Sequence, residues 1–128
     1  MITIEPNIDL TLLSEHFTEC DDYTKEVIFD ELRYWQTQPD FLVIVSRDDS
    51  HIDGFFIAYR NRNSLWVSQV WRESGTDIKE SRKAFEIAKE WARERGMTSL
   101  TGETDRKQVK AMNKYGWKES SVNMKVNL

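Results

Sequence analysis

Three β-forming runs between residues 41 and 71, separated by short polar turns, limit the folds open to this chain more than any other feature. The first, "FLVIVS" (41–46), is followed by the turn "RDDSH" and a second run, "IDGFFIAYR" (52–60). "NRN" then leads into the third, "SLWVSQVW" (64–71). Branched and aromatic side chains favour extended backbone, and connections this short join antiparallel neighbours. The segment reads as an antiparallel meander.

Helical patterns flank it. Asp9 can cap a helix running to about Glu19, with Leu10, Leu12, Leu13 and Phe17 as its apolar side. Residues 23–37 place Val27, Ile28, Leu32 and Trp35 at helical spacing, and Pro39 closes that helix. After the meander, a long helix is predicted from about Asp77 to Arg95, with Ala84, Phe85, Ile87, Ala88, Trp91 and Ala92 inward. Gly96 ends it in the left-handed role that glycine fills without strain. "SLTGE" (99–103) is a strand, residues 105–115 a last helix stopped by Gly116, and "SVNMKVNL" (121–128) a final strand. With a short strand at "ITI" (2–4), the order is β-α-α-β-β-β-α-β-α-β. That order is an α+β, or mixed α/β, layout with helices packed on a sheet.

A chain of 128 residues falls within the size of one domain, so residues 1–128 are read as a single unit. With 39% apolar residues it can bury a core without disulfides or metal. Its one cysteine, Cys20, excludes an internal disulfide and fits a reducing cytosol. No leader-like segment opens the sequence, and no apolar stretch approaches the roughly 20 residues that span a bilayer. A cytoplasmic protein away from the membrane is expected. The formal charge of −4, with basic residues spread along helices, argues against nucleic-acid binding. His16 and His51 stand apart from any His/Cys cluster, so no metal site is expected.

The junction "QVWRESGTDIKES" (69–81) carries the most chemistry. The N–H groups at a helix start lack intrahelical partners and sit at the positive end of the helix dipole, which favours anions. Within "RESGTD", Gly75 lets backbone approach a phosphate and Arg72 adds positive charge. Yet Asp77 followed by Glu80 forms D-x-x-E, close to a capping box that satisfies the same N–H groups with protein carboxylates. Two readings stand: an anion-binding loop, and an ordinary strand-to-helix turn with a good cap.

The whole pattern resembles the GCN5-related N-acetyltransferase (GNAT) superfamily. "FLVIVSRDDSHIDGFFIAYR" is similar to its hairpin, with Gly54 early in the second strand. "AKEWARERGMTSLTGE" is similar to the end of its central helix and the next strand, and "KAMNKYGWKESSVNMKV" to its C-terminal helix, Gly-aromatic turn and last strand. The resemblance implies a mostly antiparallel central sheet flanked by helices. It also implies acyl transfer, acetyl in the first instance, from acyl-coenzyme A to an amine. The family's pyrophosphate loop, Gln/Arg-x-x-Gly-x-Gly/Ala, matches Arg72-x-x-Gly75 and then fails at Asp77. This alignment places Val70, Arg72, Gly75 and Thr76 beside the cofactor. Counting back from Gly96 instead brings Lys79 and Ser81 to the small-residue positions. The pantetheine arm would lie where the third strand of the meander splays from the next, parallel strand.

Catalytic positions are carried over the same way. The tyrosine that donates a proton to the departing thiolate is replaced by Met112, with Tyr115 nearby on a different helix face. Gln69, Glu103 and Asp105 hold positions where a general base is found, of which only the two acids titrate; Asp105 also suits the N-cap of the last helix. The acceptor amine is not specified, although Asp21 and Asp22 would favour a cationic one. The alternative is a catalytically inactive binding or assembly protein on the same fold, for which a homo-oligomer or protein partner through exposed Trp66, Trp71 or Trp117 is expected. "QVWRESG" before a charged helix also resembles small acetyltransferase-like proteins of tailed bacteriophages.

Overall fold

A computed structural model of the chain describes residues 1–17, 22–76, 78–103, 118–120 and 123–128. Its strands are β1 (Ile2–Ile4), β2 (Phe41–Asp48), β3 (His51–Asn61), β4 (Ser64–Arg72), β5 (Ser99–Glu103), β6 (Lys118–Ser120) and β7 (Asn123–Asn127). They form one sheet in the order β1-β2-β3-β4-β5-β7-β6, antiparallel throughout except for the β4–β5 pair. Helices α1 (Asp22–Gln36) and α2 (Ile78–Glu94) complete the described elements.

The meander is an apolar run rather than a strict alternation because both sheet faces are covered. Phe41, Val43 and Val45 point to one side, where they meet Leu32 of α1, Phe55 and Ile57. Leu42 and Ile44 point to the other, against Phe56, Leu65, Leu100 and Ala88 and Ala92 of α2. The small side chains at Ala88 and Ala92 are fully buried, so α2 lies close on the sheet. Gly96, at φ +77°, closes that helix: its N–H donates to Arg93 O (3.0 Å) and Met97 N–H donates to Ala92 O (3.0 Å). These two bonds are the pair that a glycine-terminated helix makes.

The first predicted helix is not one. Leu10–Leu12 and Ser14–His16 are two short 3₁₀ turns, and Phe17 is already extended (ψ 141°). Asp9 does cap, accepting from Thr11 N–H (3.0 Å), and Ser14 Oγ donates to Thr11 O (3.3 Å). Such local side-chain bonds compete with α-helical ones. Leu10, Leu13 and Phe17 are buried while Leu12 is exposed, so the apolar spacing reports burial of a tight coil. The strand β6 was not foreseen; it pairs with β7 from Lys118 to Ser120. The last predicted helix, residues 105–115, and Gly116 lie outside the described residues.

Candidate functional site

The parallel pairing of β4 with β5 runs from Ser64–Ser99 to Val67–Gly102 and goes no further. At that point β4 carries one extra residue. Ala58 of β3 faces Val67 whereas Ile57 faces Gln69, which leaves Ser68 as a bulge. Beyond it, Gln69 to Arg72 pair with β3 alone among the described residues. The ladder between the two central strands therefore ends in a fork beside the loop that enters α2, one residue before β5 itself ends at Glu103. Gly102 sits at the fork: a Cβ there would lie 3.3 Å from Val67 O, so the strands approach closely where their pairing ends.

The bulge also resets which side chains face where. Val67 packs on the α2 side; after the bulge Trp71 packs on the α1 side. By strand alternation Gln69 shares the face of Trp71, and Val70 takes the other. Val70 is 49% exposed, an apolar side chain open beside the fork, and Gln69 is only 3% exposed, one of two buried polar side chains among the described residues. Trp71 is stacked on His16 (3.6 Å, 12°) and tilted against Phe55. Trp66 likewise packs at the edge of the α1-side core. The expectation that these two tryptophans are exposed is corrected: their rings complete a core. Trp117 lies outside the described residues.

The loop from β4 to α2 is a closed turn. Thr76 N–H and Thr76 Oγ1 both donate to Glu73 O, at 3.2 and 2.6 Å. Gly75 occupies the third position of this turn at φ +90°, the position that calls for glycine in a type II turn. No atom lies within 4 Å of a Cβ built there, so the glycine faces open space. Arg72 is exposed opposite Gly54, where a Cβ would come 3.2 Å from Trp71 O. Lys79 and Ser81 are exposed residues in the first turns of α2 rather than in the loop.

Beneath the start of α2 is a cavity of about 60 Å³, walled by residues of β1 to β4, the loop and α2. Asp53 Oδ1 and Glu80 Oε2 are buried without a hydrogen-bond partner among the described residues, and both residues line it. Arg72, Thr76 and Ser81 line the same recess, so two carboxylates and one guanidinium border it.

Of the residues expected at the site, Val70, Arg72, Gly75 and Thr76 gather around the fork and the loop, with Lys79 and Ser81 following in α2. Glu103 ends β5 opposite Asn123. Asp77, Asp105, Met112, Tyr115, Cys20 and Asp21 lie outside the described residues. Sequence reasoning missed the loop's anchor. Glu73 N–H donates to Asp53 O (2.8 Å), and the Glu73 carboxylate meets His51 Nε2 at 2.5 Å. Asp53 is itself a bulge, since Ser46 faces Gly54 and Arg47 faces Ile52. Gly54 inside an otherwise apolar strand was the available signal, because such a glycine marks a bulge or close backbone approach. The His51 ring is held protonated above its usual range, first by its bond to Glu73, with attraction from Glu73, Asp53 and Asp48 adding to it.

No family profile matches the chain, and no curated protein does. Solved structures do. The PaiA N-acetyltransferase of Thermoplasma acidophilum, solved with coenzyme A, is 17% identical with a TM-score of 0.73; the match covers 100% of this chain and 99% of that one. An IAA acetyltransferase from Bacillus cereus is 15% identical at TM-score 0.72, with both chains fully covered. An acetyltransferase of the GNAT family from Staphylococcus aureus is 13% identical at 0.73, over 100% of this chain and 99% of that one. The chain has the GNAT fold over its whole length, an α+β architecture with a mostly antiparallel sheet.

Proposed function

We propose that this protein is an acyl-CoA-dependent N-acyltransferase, taking acetyl-CoA and an amine. The observation that carries this reading is the fork: parallel pairing that stops at Val67–Gly102, forced by the Ser68 bulge, beside the start of α2. A thioester cofactor brings an activated acyl group, a long uncharged arm and a pyrophosphate. The residues present fit those parts. Val70 offers apolar surface beside the fork, and Trp71, turned to the α1 side, does not fill the gap. Gly75 in open space, exposed Arg72 and the backbone N–H groups at the very start of α2, beside Lys79 and Ser81, would hold the pyrophosphate. Catalysis requires a proton taken from the amine and another returned to sulfur. Glu103 and Asp105 are the candidates for the first task and Tyr115 for the second, on the resemblance alone. The acidic segment at Asp21 and Asp22 favours a cationic acceptor.

A second reading has its own support. Thr76 spends both of its donors on Glu73 O, and Asp53 and Glu80 put negative charge under the loop. Both features weaken an anion site and favour a non-catalytic binding or assembly protein. Calorimetry with acetyl-CoA separates the two. Binding that weakens at least tenfold in Arg72→Ala, with acetylation of a polyamine or lysine peptide, supports the enzyme. No heat and no thermal shift at millimolar acetyl-CoA removes it.

A further inference from the structure

The segment that enters α2 is tied to the tip of the β2–β3 hairpin at a single residue. Glu73 uses its N–H on Asp53 O, its C=O on Thr76 N–H and Oγ1, and its carboxylate on His51 Nε2. The hairpin tip is a tight turn, with Asp48 facing His51 across Asp49 and Ser50, so His51 has little freedom to follow a moving loop. The charged groups around His51 come from each neighbouring element: Asp48 from β2, Asp53 from β3 and Glu73 from the loop. All are anionic. An ion pair of this kind exists only while the imidazole is protonated, and histidine is the side chain that changes charge near neutral pH.

We propose that His51 and Glu73 form a pH-dependent clamp that fixes the Glu73–Thr76 turn at the mouth of the candidate cofactor site. With His51 protonated, the turn is anchored by main chain and side chain together. It also carries one more positive charge, with Glu73 neutralised. Above the titration of His51 the ion pair is lost, the anchor weakens to at most a hydrogen bond from a neutral imidazole, and an unneutralised carboxylate is left at the loop. Both changes disfavour a phosphate-bearing ligand, so anion affinity falls as pH rises. The direction of the His51 titration, shifted to higher pH by its partner, brings this change closer to neutrality. The pair is exposed, 65% for His51 and 45% for Glu73, so the effect is a modulation rather than an on–off switch.

The clamp itself stands apart from the acyl-CoA reading, while its consequence for ligand affinity rests on that reading. Amide NMR of the whole chain between pH 5.5 and 8.5 tests the first. The Gly75 and Thr76 amide shifts should follow the His51 ring titration and lose that transition in His51→Gln and in Glu73→Gln. Loop amides that ignore His51, or titrate identically in His51→Gln, overturn the inference. Calorimetry with coenzyme A at pH 6.0 and 8.0 tests the consequence. Coenzyme A carries phosphates that titrate near pH 6, so the reading is the wild-type pH ratio divided by that of His51→Gln. A quotient of about two- to fivefold in favour of the lower pH supports the clamp. A quotient of one overturns its effect on the site. Absence of binding at both pH values overturns the acyl-CoA reading, and the clamp is then judged on the loop amides alone.

Discussion

Val67 and Gly102 are the last partners of the β4–β5 ladder, and a side chain on the second would crowd the first. A Cβ on Gly102 would meet Val67 O at 3.3 Å and Val67 Cβ at 3.4 Å. Main-chain oxygen in a sheet cannot yield as the end of a side chain can. Gly102→Val should therefore lower stability by about 1–3 kcal/mol, the usual cost of forcing atoms into a packed site. It should also move the fork, so acetyl-CoA binding should fall further than stability alone explains. Chemical denaturation paired with calorimetry reads both. A valine variant as stable as the wild type would mean that the strands part before Gly102.

Gly75 and Gly96 share a left-handed backbone, at φ +90° and +77°, and neither has an atom within 4 Å of a built Cβ. An added methyl group therefore costs backbone strain and nothing in packing. Gly96→Ala should destabilise by about 1 kcal/mol, because non-glycine residues pay roughly that in this region. The penalty falls on the whole fold, since Met97 and Ala92 depend on that turn. Gly75→Ala strains an exposed loop instead. Its main effect should be on ligand affinity, with a smaller change in the denaturation midpoint. Equal losses of stability in the two variants would show the loop to be as integral as the helix cap.

The meander, the two long helices and the α2 terminus were legible because each depends on short-range spacing. Leu42 and Val43 face opposite cores, yet both are apolar, and that marks a sheet covered on both sides. The Leu10–Phe17 segment was misread because 3- and 4-residue spacing suits a tight coil as well as an α-helix. Of the loop entering α2, Gly75 at a turn position was legible and its anchor was not. Whether Glu73 reaches His51 is decided by two bulges, at Asp53 and Ser68, and no periodicity announces where a strand gains a residue. Trp71 was misplaced for the same reason: the Ser68 bulge turns it to the α1 side, where His16 covers it.

Ala88 bears on how α2 is seated. It is fully buried between the helix and Leu42, Ile44 and Leu100 of the sheet. Ala88→Leu should push the helix outward and cost about 1–3 kcal/mol. Lys83→Ala, on the exposed side of the same helix, should stay within about 0.5 kcal/mol of wild type. Urea denaturation distinguishes them. Two equal, small effects would mean that α2 rides loosely over the sheet.

Acid should loosen the β1 edge of the sheet. Glu5 follows β1 and meets Arg47 of β2 through two bonds, Nη2 to Oε1 at 2.8 Å and Nε to Oε2 at 3.2 Å, while Thr3 Oγ1 donates to Oε2 at 2.6 Å. The Glu5 carboxyl is held below its ordinary value, by its bond to Arg47 first and by Thr3 second. A carboxylate so depressed contributes stability that is fully present above the unfolded-state value, about 4.3 for glutamate. That contribution is lost as pH falls through the lower, folded-state value. The side chains are 28% and 29% exposed, which keeps the pair's worth near 1 kcal/mol. Glu5→Gln should thus be less stable than wild type by about that amount at pH 7, with the two converging near pH 3. Urea titrations at pH 7, 5 and 3 measure the gap. A gap unchanged at pH 3 would assign the loss to packing of the β1 edge and not to the ion pair.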